Sequence, residues 1–121
     1  MDKNEFVKRF SKNNPQKSNK LLIKNCMTTI NGYFGNLSIL LSENGTDPNS
    51  YQLYQYNGRD LFFKTPSLKL QFESKGESVE VKKNDELYDS YYPKNDSVYS
   101  EKYDEEITSD FFNRYLPLFM N

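Results

Sequence analysis

The alternation of apolar and polar residues from residue 36 to residue 82 most constrains how this chain can fold. Successive side chains of a β-strand point to opposite faces of a sheet, so a period of two predicts strands with one buried face and one wet face. Asn57-Gly58 is a strong hairpin signal within this region, because both residues tolerate positive φ. The predicted strands cover residues 36–43, 51–56, 61–64, 68–74 and 79–82.

Two segments before this region have helical spacing. Residues 3–12 carry an apolar face and a basic face, and Asp2 is a possible N-cap. The Asn-Asn-Pro sequence that follows predicts the end of that helix, because proline disfavours helical geometry in the residue before it. Residues 18–31 also fit a helix, which Gly32 could end, although their first apolar residues could instead begin a strand.

A third helix is predicted near the end of the chain. Ile107, Phe111 and Tyr115 recur at intervals of four, as one face of a helix requires. Asp104 is the predicted N-cap, and the two glutamates after it would lie in the first turn, where the helix dipole favours negative charge. Pro117 would stop this helix, which we expect to cover the dry face of the sheet.

Length and composition suit one domain. The chain has 121 residues, and only 36% are hydrophobic, but ten Tyr and nine Phe supply large areas to bury. We predict a single α+β domain over residues 1–121. It would contain N-terminal helices, a central antiparallel β-sheet of about four to five strands, and a C-terminal helix packed on the sheet.

Several catalytic chemistries are excluded by missing residue types. The chain has no His, so Ser-His and Cys-His nucleophile pairs and metal sites built on imidazole cannot form. A single cysteine cannot supply a thiolate cluster, and no glycine-rich phosphate loop occurs. Cys26 lies among apolar residues, so we interpret it as a buried residue and not a nucleophile. Carboxylate chemistry is the one enzymatic route left, and we expect no enzyme activity, no cofactor and no metal.

The cellular setting follows from similar absences. The first residues contain no apolar run of signal-peptide length, and no stretch approaches the roughly 18 apolar residues that a membrane span needs. One cysteine cannot form an intramolecular disulfide, which suits a reducing cytosol. We expect a cytoplasmic protein that makes no membrane contact.

Net charge is −1, but the charges are unevenly distributed. Residues 1–24 carry seven basic and two acidic side chains, whereas residues 84–110 carry nine acidic and two basic ones. The tyrosines of residues 51–56 could form a platform for stacking bases, but such platforms lie in positive grooves. This region is neutral with an acidic neighbour, so sheet packing is favoured and no nucleic acid is expected as a partner.

The segment from Asp85 to Asp110 combines carboxylates with five tyrosines and has few aliphatic residues to bury. It fits a long acidic surface loop, in part disordered, or a protein-binding surface, and both descriptions can hold together. Tyrosine is enriched at interface hot spots, and acidic neighbours would steer a basic partner. The predicted charges are Glu86, Asp89, Asp96, Asp104 and Glu105, and the predicted anchors are Tyr88, Tyr91, Tyr92 and Tyr99.

A small α+β protein without catalytic equipment, and with an acidic, tyrosine-rich patch, resembles the bacterial immunity proteins of contact-dependent inhibition and other polymorphic toxin systems. The resemblance implies a cytoplasmic inhibitor, monomeric when free, that docks on a basic cognate toxin, often a nuclease, and fills the cleft that would hold phosphate. Two other classes share this composition. One is the small acidic chaperones of secretion or assembly, and the other is the accessory inhibitors of phages and mobile elements.

Overall fold

The six β-strands follow one another in sequence order across one antiparallel sheet. A computed structural model describes residues 1–14, 18–56 and 60–120. This architecture confirms the α+β prediction, with one or two more strands than expected. The elements are α1 (Lys3–Asn13), α2 (Ser18–Glu43), β1 (Gln52–Tyr56), β2 (Asp60–Lys64), β3 (Lys69–Ser74), β4 (Val79–Lys83), β5 (Glu86–Lys94), β6 (Ser97–Ser100) and a C-terminal 3-10 helix (Ser109–Met120).

The first helix forms where the sequence predicted it. The carboxylate of Asp2 accepts a hydrogen bond from the backbone N–H of Glu5 at 2.7 Å, which confirms the N-cap. None of the residues of α1 is buried, so its apolar side chains, including Phe6 and Phe10, face solvent. Pro15, which the sequence suggested as the reason for the end of α1, lies outside the described residues.

The second helix is much longer than predicted. The interpretation of residues 36–43 as a strand is wrong, because α2 continues through Gly32 to Glu43. Leu37 and Leu41 fit both a period of two and a period of four, and both pack against the core. A strand would place Ile39 on the same face as Leu37 and Leu41, whereas a helix places it on the opposite side. Ile39 is 57% exposed, as the helix requires. Burial of the continuous apolar stripe outweighs the cost of glycine inside the helix, about 1 kcal/mol per residue.

One face of the sheet packs against α2 and the C-terminal 3-10 helix. Phe34 of α2 lies 5.4 Å, between ring centroids, from Phe72 of β3, which meets Phe112 of the 3-10 helix edge-on at 6.0 Å. Cys26 is buried on the same side, as predicted, and burial raises the pKa of its thiol to about 12. Aromatic rings from α2, the sheet and the 3-10 helix therefore meet in the core, together with aliphatic side chains such as Ile30 and Leu70.

The strands β1 to β4 lie where alternation predicted them. β1 and β2 pair with Tyr56 opposite Asp60, and the predicted Asn57-Gly58 turn itself lies outside the described residues. Gly76 has a φ of 91° in the turn between β3 and β4, a conformation that glycine adopts without a steric penalty.

Strands β5 and β6 occupy much of the segment interpreted as a loop. Each is entered through a two-residue Asn-Asp turn in which both residues have positive φ: 49° and 71° at Asn84 and Asp85, and 50° and 62° at Asn95 and Asp96. Turns with this backbone match the right-handed twist of paired strands. The loop interpretation is therefore wrong for residues 86–94 and 97–100, where the tyrosines of the segment supply β-propensity.

The prediction that Asp104 caps a helix is wrong. The three residues from Asp104 to Glu106 precede the 3-10 helix, which begins at Ser109. Glu106 forms a bridge with Tyr99, and the N–H of Ile107 donates to the carbonyl of Val98 at 2.7 Å. The edge of β6 therefore holds Glu106 and Ile107 by strand-like pairing, whereas Asp104 has a φ of 51°.

The predicted apolar face of the last helix is confirmed in part. Phe111 and Tyr115 are buried together with Phe112, whereas Ile107 lies before the helix and is half-buried. Pro117 lies inside the 3-10 helix and does not end it. In the described part of the chain, none of the helices is long and apolar enough to cross a bilayer.

The turn at Asn95 provides a test of the β5–β6 hairpin. We expect Asn95→Val to lower the free energy of unfolding by about 1–3 kcal/mol, because a β-branched residue is strained at positive φ. Asn95→Gly is the matched control and should cost little. Urea unfolding of the three proteins measures the difference, and equal stability of the Val and Gly variants would contradict this turn geometry.

Candidate partner-binding surface

The predicted site residues divide between the surface and the interior of the sheet. Glu86, Asp96, Asp104 and Glu105 are exposed, and Glu105 forms an ion pair with Arg114. Among the described residues, the other three carboxylates form no ion pair. Glu101 and Glu106 were not among the predicted site residues, but they too are exposed acids without an ion pair in that part of the chain.

Two of the predicted anchors lie side by side on the outer face of the sheet, the face turned away from α2. Tyr92 of β5 is directly opposite Tyr99 of β6, and both are half-buried. The bridge to Glu106 continues this row, and the Nζ of Lys94 lies 5.7 Å from the ring centroid of Tyr99. We use the name acidic hairpin surface for the outer faces of β5 and β6, their connecting turn at Asn95 and Asp96, and residues 101–106.

Tyr88 lies at an irregularity in β5. Val81 is opposite Asp89 and Lys82 is opposite Leu87, so Tyr88 is the extra residue of a β-bulge. Its hydroxyl lies 2.8 Å from that of Tyr103. The Nζ of Lys102 lies 4.0 Å from its ring centroid and covers part of the ring.

Leu87, which was not among the predicted site residues, is exposed on the outer face. It lines a shallow recess of about 270 Å³ together with Tyr88, Glu101 and Lys102. The recess offers an apolar contact at the end of the acidic hairpin surface.

Two predicted site residues are inside the protein. Tyr91 is 0% exposed and Asp89 only 4%, so the prediction that they contact a partner is wrong for this fold. Alternation places both on the core face, where the Tyr91 hydroxyl lies 2.5 Å from that of Tyr115. Burial raises the pKa of Tyr91 well above its usual value, so this phenol stays neutral.

Asp89 organises the turn that follows β6. Its carboxylate accepts hydrogen bonds from the Ser100 hydroxyl at 2.5 Å, from the Lys102 N–H at 2.9 Å and from the Ser90 N–H at 2.7 Å. The Ser100 oxygen in turn accepts from the N–H of Tyr103 at 3.1 Å. A buried carboxylate with three donors is well compensated, and here it holds the exposed acids of residues 101–106 in place.

The tyrosines around Asp89 remain uncharged at neutral pH. Burial, followed by the hydrogen bond with Tyr88, raises the pKa of Tyr103 to about 12. Burial is also the largest cause of the raised pKa of Tyr115. Tyr103 therefore contributes apolar area and a hydroxyl group to the acidic hairpin surface, and not charge.

A second surface feature is an apolar groove between α2, the start of the sheet and the 3-10 helix. Its volume is about 920 Å³, within the range of small-molecule and peptide sites. The groove was not predicted, because one wall, Leu37 and Leu41, was expected to belong to a strand. Apolar side chains form most of its lining: Leu37, Leu41, Tyr51, Phe63, Leu116, Phe119 and Met120.

Neither a metal ligand set nor a relative points to a further site. Within residues 1–14, 18–56 and 60–120, no three His, Cys, Asp or Glu side chains come together as a metal site would require. Comparison with protein-family models, with curated proteins and with solved structures found no match to this chain.

The role of Asp89 can be separated from that of the exposed acids. We expect Asp89→Ala to lower the free energy of unfolding by about 3 kcal/mol, because it leaves buried donors without an acceptor. Asp104→Asn, which removes an exposed carboxylate and keeps a residue tolerant of positive φ, should change stability by less than about 0.5 kcal/mol.

Chemical denaturation measures both stabilities, and hydrogen exchange reports on the Lys102 amide directly. That amide should exchange faster in Asp89→Ala and at the normal rate in Asp104→Asn. An unchanged Lys102 amide in Asp89→Ala would show that the buried carboxylate does not hold the turn.

Proposed function

We propose that this chain is a protein-binding inhibitor of the immunity-protein class, which neutralises a cognate toxin by docking the acidic hairpin surface on a basic region of it. One observation carries the proposal: exposed carboxylates without ion pairs, within the described part of the chain, surround a pair of outer-face tyrosines on one hairpin. These carboxylates are Asp96, Glu101, Asp104 and Glu106, and the tyrosines are Tyr92 and Tyr99. Glu86 is not among them, because it lies opposite Lys83, which in turn lies opposite Leu70 on the core face of the sheet.

The charge of this surface favours a basic protein over other partners. A cluster of carboxylates raises the rate at which a positively charged protein associates with the surface. The same carboxylates repel the phosphate groups of nucleic acids and of anionic lipids. A nuclease domain is a suitable target, since its substrate cleft is basic. The inhibitor would then compete with phosphate for that cleft and would need neither a cofactor nor a catalytic residue.

The tyrosine pair supplies the short-range part of the interaction. Tyr92 and Tyr99 are half-buried and lie opposite each other in a hydrogen-bonded hairpin, so their rings lose little conformational freedom when a partner covers them. Large aromatic residues held in this way are typical hot spots. The free thiol of Cys26 is consistent with action in the cytoplasm, where a toxin that has entered the cell would be met.

Binding to the product of the neighbouring gene tests the proposal directly. We expect Tyr92→Ala to weaken the complex by about 2 kcal/mol, or about 30-fold, because an ordered, half-buried ring of this kind is a typical hot spot. Isothermal titration calorimetry at low and high salt measures the affinity and its dependence on charge. Absence of binding would refute the proposal if the neighbouring gene encodes a toxin that this chain protects against in cells.

A matched pair of charge variants tests electrostatic steering. Asp96→Asn with Asp104→Asn removes two carboxylates at positions of positive φ that asparagine tolerates. Glu43→Gln with Glu77→Gln removes two exposed carboxylates elsewhere. Only the first pair should slow association at low salt, and an equal effect of both pairs would mean that net charge, and not this surface, attracts the toxin.

The apolar groove favours one alternative, a small chaperone that holds an apolar segment of a client protein. Met120 lies at the groove and is 84% exposed, so Met120→Glu adds a charge there without disturbing the core. For a chaperone, this change should abolish suppression of client aggregation. For an immunity protein it should leave neutralisation of the toxin unchanged, and co-expression with the toxin distinguishes the two outcomes.

A further inference from the structure

The two edge strands of the sheet, β1 and β6, differ in how far their outer backbone groups are hydrogen-bonded. The outer edge of β6 is covered, since the Ser100 N–H donates to Glu105 at 2.9 Å and the Ile107 N–H donates to Val98. At the opposite edge, β1 pairs with β2, and no described residue pairs with its other side. An edge of this kind presents a row of free N–H and C=O groups that another strand can satisfy.

Strand β1 carries none of the usual features that prevent edge pairing. Its sequence from Gln52 to Tyr56 contains no charged residue and no proline. Its register against β2 runs without a bulge from one end to the other. Lysine, proline and bulges are the common means by which edge strands avoid unwanted partners, so their absence here indicates that pairing is tolerated or used.

Exposed aromatic rings lie beside this edge on the outer face. The ring of Tyr54 stacks on that of Phe62 at 4.9 Å and on that of Tyr56 at 5.8 Å. Tyr54 and Tyr56 remain 43% and 53% exposed. Cross-strand aromatic pairs stabilise paired strands, and these rings could extend their stack onto a neighbouring strand.

We propose that β1 pairs with β1 of a second copy of this chain, in antiparallel orientation about Tyr54, and joins the two sheets into one. A two-fold pairing places identical residues near each other, which only an uncharged strand permits without repulsion. Centring on Tyr54, the middle residue, pairs the whole length of the strand and places Gln52 opposite Tyr56 of the partner.

The flanking strand is compatible with this arrangement. Lys64 is opposite Gln52 and Asp60 is opposite Tyr56 on β2. In the antiparallel dimer, Lys64 of one copy therefore shares a row with Asp60 of the other. These two charges have opposite signs and lie about 14 Å apart, three strand spacings, so they do not oppose the pairing. A net charge of −1 for the whole chain adds little repulsion between copies.

The dimer should be weak and dependent on concentration. One five-residue strand and two tyrosines from each copy form a small interface, at the lower end of the size range of specific complexes. Dimerisation would replace the monomer expected for the free protein with an equilibrium between monomer and dimer. Because β1 and the β5–β6 hairpin lie on different parts of the sheet, with β1 and β6 at its two edges, each copy could bind a toxin while paired.

Sedimentation analysis of the full chain, from micromolar to near-millimolar concentration and without any toxin, tests the proposal. We expect a dimer that dissociates on dilution. Tyr54→Lys puts like charges opposite each other and should weaken dimerisation at least about tenfold. Asn36→Lys adds the same charge to an exposed position of α2 and should leave dimerisation unchanged.

A cross-linking variant tests the register and does not depend on Tyr54→Lys being folded. Oxidation should cross-link the Tyr54→Cys protein into a dimer and should leave an Asn36→Cys protein monomeric on a denaturing gel, since Cys26 is buried. A monomer at every concentration, an equal effect of both lysine variants, or no cross-link through position 54 would overturn the proposal. Toxin binding should persist in Tyr54→Lys, so failure here is distinguishable from failure of the immunity function.

Discussion

The contact of Phe34 with Phe72 and Phe112 is the interaction on which the rest of this structure depends. A meander of six strands has two faces, and only one is apolar enough to need a cover. Phe34 brings α2 onto that face, and Phe112 brings the C-terminal 3-10 helix beside it. Each ring buries a large area and packs with aliphatic side chains such as Ile30, Leu70 and Val81, which explains how a chain of low hydrophobic content can still build a core.

The buried carboxylate of Asp89 shows how the same residue types serve two purposes. Acids and tyrosines on the outer face of β5 and β6 remain available to a partner, whereas those on the core face support the fold. Asp89 is the clearest case, because its hydrogen bonds fix the turn that carries Glu101 and Asp104. Any binding by the exposed acids would thus depend on a carboxylate that makes no contact with the partner.

The fold class, helix α1 and strands β1 to β4 could be predicted, because period and turn residues are local properties of the sequence. The assignment of residues 36–43 failed because Leu37 and Leu41 fit both periods, and only the exposure of Ile39 distinguishes them. Strands β5 and β6 were missed although a signal was present, since Asn-Asp occurs at both turns with positive φ. Of the nine predicted site residues, Asp89 and Tyr91 are buried in the core and Tyr88 lies in the bulge of β5. Only the strand register distinguishes these three from the other six.

By itself, the sequence determined that no site on this chain can use His or a pair of Cys residues. It also determined the concentration of acids and tyrosines between residues 84 and 110, and it predicted a half-buried antiparallel sheet. Only the tertiary structure decided which of those acids and tyrosines face outward. Successive side chains of a strand point to opposite faces of the sheet. The position of the bulge at Tyr88 and the face that the helices cover therefore decide which side chains of β5 lie in the core and which on the surface. Neither the bulge nor the cover is a local property, because both arise from pairing and packing with residues distant in the chain.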